Sequence, residues 1–64
     1  MGKNKMRELR FFQKKTLADL SLSAGINMAR LSFLERAIFP PNLAEKQKIS
    51  KALGTPIKDI FLEE

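Results

Sequence analysis

Between Thr16 and Ala37 the apolar residues fall into two short stripes of helical period, separated by Ala24, Gly25 and Ile26. Phased at about 100° per residue, the first stripe holds Leu17, Leu20, Ser21 and Ala24 and leaves Leu22 outside with Asp19. The second holds Leu31, Leu34 and Ile38, predicted to point inward. Burying those residues turns Met28, Ala29, Ser32, Phe33 and Arg36 to the opposite side, with Arg30 and Glu35 on the flanks. The ends of both segments carry their own signals. Thr16 followed by Asp19 has the capping-box spacing, Gly25 can take the left-handed conformation that closes a helix, and Asn27 is a good N-cap.

Helical signals continue on either side. Met6 to about Gln13 reads as a first helix, with Met6, Leu9 and one of Phe12 or Gln13 on one face and Arg7, Glu8 and Arg10 around the other. Because Phe11 and Phe12 are adjacent, at most one ring can be central to a core. Ile38, Phe39, Pro40 and Pro41 end the helix before them, since consecutive prolines cannot continue its hydrogen bonds. Asn42 with Glu45 repeats the capping-box spacing and starts a fourth helix to about Leu53. Its apolar stripe is thin: Leu43, Ile49, Ala52 and Leu53, with the Lys46 stem laid over the core. Gly54 is placed to cap it. Thr55 and Pro56 then supply an N-cap and first-turn proline for a short last helix, Ile57 to Leu62. Its apolar residues Ile57, Ile60 and Phe61 either close the core or pair two copies of the chain. No stretch alternates with period two, so the expected class is all-α. The two central helices, short and joined by a glycine turn, have the form of a helix-turn-helix.

Composition narrows the chemistry. With 64 residues the expectation is one domain, 1–64, in which Met1 to Lys5 is a basic tail or an arm along a phosphate backbone. Cysteine and histidine are both absent, which removes disulfides, the commonest metal ligands and the commonest general base. The carboxylates show no paired arrangement and the serines have no base, so no enzyme activity, metal or cofactor is expected, and no small-molecule ligand. No apolar run approaches the roughly 18 residues that cross a membrane, and no signal-peptide core is present, so a cytoplasmic protein is expected.

Charge is asymmetric. Residues 1–36 hold eight basic and three acidic side chains, a balance of +5, while residues 37–64 hold four of each. Such a basic half suits a polyanion, and equally a solvated surface. Lys14 and Lys15, just before a helix N-terminus, are either a solvated linker or phosphate contacts. The outward set of the second central helix is less ordinary: two large apolar side chains, a cation, a hydroxyl and a small residue. A DNA major groove can use all of them, arginine for guanine or phosphate, serine for either, alanine and aromatic carbons for thymine methyls. A protein partner, or another part of the same fold, could also cover that face.

Taken together, TLADL at Thr16–Leu20, Gly25-Ile26-Asn27, LSFLER at Leu31–Arg36, PNL at Pro41–Leu43, KISKALG at Lys48–Gly54, Ile57 and DIF at Asp59–Phe61 resemble the lambda-repressor-like, Cro/C1 or XRE-type, helix-turn-helix family. With MRELR at Met6–Arg10 the likeness runs over residues 6–61. The resemblance implies a compact five-helix bundle whose third helix, about 28–37, enters the major groove, as a homodimer on a palindromic site. Carried over by position, Met28, Ala29, Ser32 and Phe33 would read bases, and Thr16, Leu17, Asn27, Arg30 and Arg36 would meet the backbone or its flanks. It departs from the family pattern at Leu17, where glutamine is frequent, at Ala37, where glycine is usual, in the apolar loop Ile38-Phe39-Pro40, and at Lys46 and Gln47. The expected function is a sequence-specific, repressor-like transcriptional regulator bound to double-stranded DNA. The alternative on the same fold is a protein-interaction module, antitoxin-like, using the surface around Phe33 and Phe39. Either the last helix or the loop at Ile38 and Phe39 would make the dimer.

Overall fold

The computed structural model describes residues 4–61. It contains α1 Met6–Phe12, α2 Leu17–Ala24, α3 Met28–Glu35, α4 Leu43–Leu53 and α5 Ile57–Ile60, with no strand among the described residues. Each of the two predicted capping boxes forms: Thr16 and Asp19 exchange bonds of 3.1 and 2.9 Å, and Asn42 and Glu45 exchange bonds of 2.8 and 3.0 Å. A cap of this kind stabilises its helix by about 1 kcal/mol.

All four longer helices end in the same way. A residue in the left-handed region follows each one, and the next amide reaches back five residues: Lys15 to Arg10, Ile26 to Ser21, Ile38 to Phe33 and Thr55 to Ser50, at 2.9–3.3 Å. Gly25 and Gly54 do this without a Cβ penalty, but Lys14 and Ala37 hold φ at +58° with one. At the two glycine ends a serine hydroxyl adds a brace, Ser21 to the Ile26 carbonyl and Ser50 to the Thr55 carbonyl, both 2.6 Å.

The core draws on every helix: Met6, Leu20, Ala24, Ile26, Leu31, Leu34, Ile49, Leu53, Ile60 and Phe61, with Leu9, Leu17, Ala52 and Ile57 packed against it. The last helix therefore closes the bundle. Its backbone also ties the two ends of the fold, Lys5 N–H donating to the Ile60 carbonyl at 2.9 Å. Asn4 donates to the Leu34 carbonyl at 2.8 Å, so the part of the expected basic arm that falls within the described residues is anchored; residues 1–3 lie outside them.

Several expectations are corrected. Arg10, assigned to the outer face, is 8% exposed and sits beside Met6 in the interior. Its guanidinium donates to both Glu35 carboxylate oxygens, at 2.8 and 3.3 Å, and to the Lys15 carbonyl at 3.1 Å, linking α1 to the end of α3. Taking one partner from such a pair costs about 3–5 kcal/mol, because the other stays buried and uncompensated. Neither Phe11 nor Phe12 is central: both are exposed, and Gln13 turns inward to donate to the Leu53 carbonyl at 2.7 Å. Ile38 is exposed because Ala37 breaks the helical phase before it. Leu43 is exposed because it lies roughly 120° around the helix from Ile49. Pro56, not Thr55, takes the N-cap of α5, since Thr55 is held in the closing turn of α4, and α5 ends at Ile60; Leu62 lies outside the described residues.

The left-handed alanine yields a direct test. Ala37→Gly should stabilise the fold by about 1 kcal/mol, read as a thermal midpoint raised by roughly 4–8 °C in a domain of this size. An unchanged or lower midpoint would mean that the end of α3 is not closed by a left-handed residue.

Candidate nucleic-acid interface

The turn from α2 into α3 is built from local bonds. The Asn27 side-chain oxygen accepts from the amides of Ala29 and Arg30 at 2.8 and 3.3 Å, which sets where α3 begins. Its rotation follows from burial, Leu31 and Leu34 both having no exposed surface. Met28, Ala29, Phe33 and Arg36 consequently stand exposed on the other side and Ser32 is half-buried, with Phe33 37% and Met28 46% exposed.

That side carries a row of stacked side chains. The Arg36 guanidinium lies 5.4 Å from the centre of the Phe33 ring, Phe33 meets Phe39 edge-on with centroids 5.6 Å apart, and the Arg30 guanidinium lies 5.5 Å from Phe39. Each such contact contributes about 0.5–1.5 kcal/mol. Arg30 is further held by Glu45 of α4 through bonds of 2.9 and 3.1 Å, while the same carboxylate caps Asn42. Phe33 is thus partly covered by its own loop, as one of the three readings of this face anticipated, and keeps the rest of its ring open. In the sequence Glu45 shows only its capping spacing to Asn42, and no spacing rule connects it with Arg30 on another helix.

The expected backbone contacts are less uniform. Thr16 and Asn27 are exposed at their helix starts, and Lys14 is exposed. Lys15, by contrast, donates its ammonium to the Ala52 carbonyl at 2.7 Å, where it serves the end of α4. Leu17 is half-buried against the core. Among the dimer candidates, Ile60 and Phe61 are buried in the chain's own core and Ile57 is half-buried, whereas Ile38 and Phe39 are exposed. A groove of about 520 Å³ opens beside Arg36, lined by Asn4, Arg7, Glu8, Glu35 and Arg36, and of its two glutamates Glu35 is already bonded to Arg10. Among the described residues no cluster of three acidic, cysteine or histidine side chains could hold a metal ion, and no helix is long and apolar enough to cross a membrane.

A five-helix bundle with α2 and α3 in this arrangement defines a helix-turn-helix domain. No family model matches the chain. It is, however, similar to an uncharacterized HTH-type transcriptional regulator of Methanocaldococcus jannaschii, 32% identical over 62 residues that span 97% of this chain and 94% of that protein. The chain belongs to the helix-turn-helix-type transcriptional regulators.

Two carboxylates at this surface are acidified. Hydrogen bonds from Arg30, then from the Asn42 amide, hold Glu45 below the usual carboxylate value, and the bonds from Thr16 do the same for Asp19. A lowered folded value places the stabilisation above the unfolded value and removes it as pH falls through the folded one. Thermal stability should therefore be level from neutrality to about pH 5 and decline below about pH 4, and Glu45→Gln should shrink that decline. An acid limb of the same depth in parent and Glu45→Gln would contradict the assignment.

Proposed function

We propose that this chain is a cytoplasmic, sequence-specific DNA-binding regulator of the lambda-repressor-like, XRE type. It reads the major groove with α3 and acts by occluding or recruiting at a promoter. The observation that carries this reading is the burial of Leu31 and Leu34, which leaves Met28, Ala29, Ser32, Phe33 and Arg36 as one outward surface. Such a set matches base edges and thymine methyls in kind. Thr16, Asn27 and Lys14, at the starts of α2 and α3 and on the turn before α2, are the matching phosphate contacts.

Dimerisation belongs to the same reading. One module covers about 600–1,000 Å² of DNA contact, too little for tight binding alone, and a two-fold pair would set two α3 helices about 34 Å apart. With Ile60 and Phe61 inside the bundle, Ile38, the open part of Phe39 and the outer side of Ile57 remain as apolar residues for a second copy.

The test is a duplex selected from a random pool, titrated across salt concentrations. Arg36→Ala should weaken binding and lower the salt slope by about one contact's worth. Phe33→Ala should leave the slope intact and relax preference at one or two base pairs by about 1–3 kcal/mol. If both variants bind selected and random duplex as the parent does, the interface is not on this face. Salt-insensitive association with a protein, abolished by a charge at Phe39 and indifferent to DNA, would favour the antitoxin-like alternative.

A further inference from the structure

We propose that Phe39, in the loop beyond the helix-turn-helix, is a specificity-determining positioning residue that fixes both the Phe33 ring and the Arg30 guanidinium. The inference rests on the DNA-binding reading above and deepens it. Phe39 is the one ring in the stacked row that touches both of these side chains: it lies edge-on to Phe33 at an interplanar angle of 86°, and under Arg30 at 5.5 Å. Neither contact is available to a polar loop.

The loop is itself held. Ala37 and Ile38 donate backwards into the last turn of α3, at 3.1 and 3.0 Å. Beyond Phe39, Pro40 and Pro41 fix the backbone φ up to the Asn42 cap. Phe39 is therefore delivered from a segment with little backbone freedom, on which a second ring can select one orientation of the first. That matters because an exposed phenylalanine on a helix exchanges rotamers, and a ring that samples several poses distinguishes a thymine methyl from its absence poorly. Arg30 is constrained from two sides. Glu45 takes its Nε and Nη2, the Phe39 ring covers a face, and Nη1 carries no hydrogen bond among the described residues. The two N–H groups of Nη1 are left as an aimed pair of donors whose charge is offset by Glu45, suited to positioning more than to salt-dependent attraction.

The experiment compares random-pool selection by the parent, Phe33→Ala, Phe39→Ala, Phe39→Tyr and the Phe33→Ala/Phe39→Ala double variant, with thermal midpoints recorded for each. Phe39→Ala should keep binding to random duplex within about threefold and relax preference at the same base pairs as Phe33→Ala. The coupling between the two changes should be about 3- to 10-fold, so that the double variant is little worse than Phe33→Ala. Phe39→Tyr, which retains the ring, should restore the parent's preference. If Phe39→Ala is unfolded at the assay temperature, Phe39→Leu replaces it, keeping bulk without an aromatic face.

A parent that enriches a site which Phe39→Ala and Phe39→Leu enrich unchanged would overturn this inference while leaving the DNA reading intact. So would loss of the second half-site with base preference inside each half-site preserved, which would assign Phe39 to pairing of two copies alone and not to positioning Phe33. A parent that enriches no duplex would overturn the DNA reading itself and this inference with it.

Discussion

An eight-residue helix has one side to bury and one to show, and in α3 Leu31 and Leu34 decide which is which. Turning both leucines into water would cost roughly 1.5–3 kcal/mol apiece, a large share of what holds together a domain of this size with no cysteine to staple it. No other rotation of α3 keeps them covered. The display of Met28, Ala29, Ser32, Phe33 and Arg36 is therefore a consequence of core packing, and the proposed interface inherits its geometry from the interior. The Asn27 cap and the Ser21 brace then fix where along its axis that helix begins.

Charge is distributed more sparingly than the raw count implies. Of the eight basic residues in positions 1–36, Arg10 is bonded inside to Glu35, Lys15 to the end of α4, and Arg30 to Glu45. Guanidinium and ammonium groups here act first as structural links between helices. What remains open to a polyanion is chiefly Arg7 and Arg36 beside the end of α3 and Lys14 before α2, alongside backbone amides at helix starts. A surface with few open cations and two adjacent rings favours contacts that discriminate between bases over contacts that merely attract phosphates.

Local signals were the legible ones. Capping boxes at Thr16 and Asn42, left-handed glycines at 25 and 54, and the Leu31/Leu34 stripe each depend on residues within a few positions, and each stands as the spacing predicts. Arg10 illustrates the opposite case. Four residues after Met6, it lies about 40° around the helix from a core position, but a cation there reads as outward until a partner is known, and Glu35 is on another helix. Lys14 and Ala37 carry side chains that disfavour positive φ, so their role as helix closers left no trace in residue type; because Ala37 closes α3, Ile38 lost the phase assigned to it. At the interface, the outward face of α3 could be read by elimination. The contacts of Phe39 and Glu45 with it could not, since both depend on where the loop and α4 fold back.

The orientation of α3 toward a double helix is tested most directly by following backbone amide resonances while duplex selected by the protein is titrated in. The largest shifts should fall at Thr16, at Asn27 to Phe33 and at Arg36, with α5 and the buried amides around Leu53 little changed. Shifts centred on Ile57 to Phe61 or on the groove at Arg7 and Glu8, with Met28 to Phe33 silent, would contradict it.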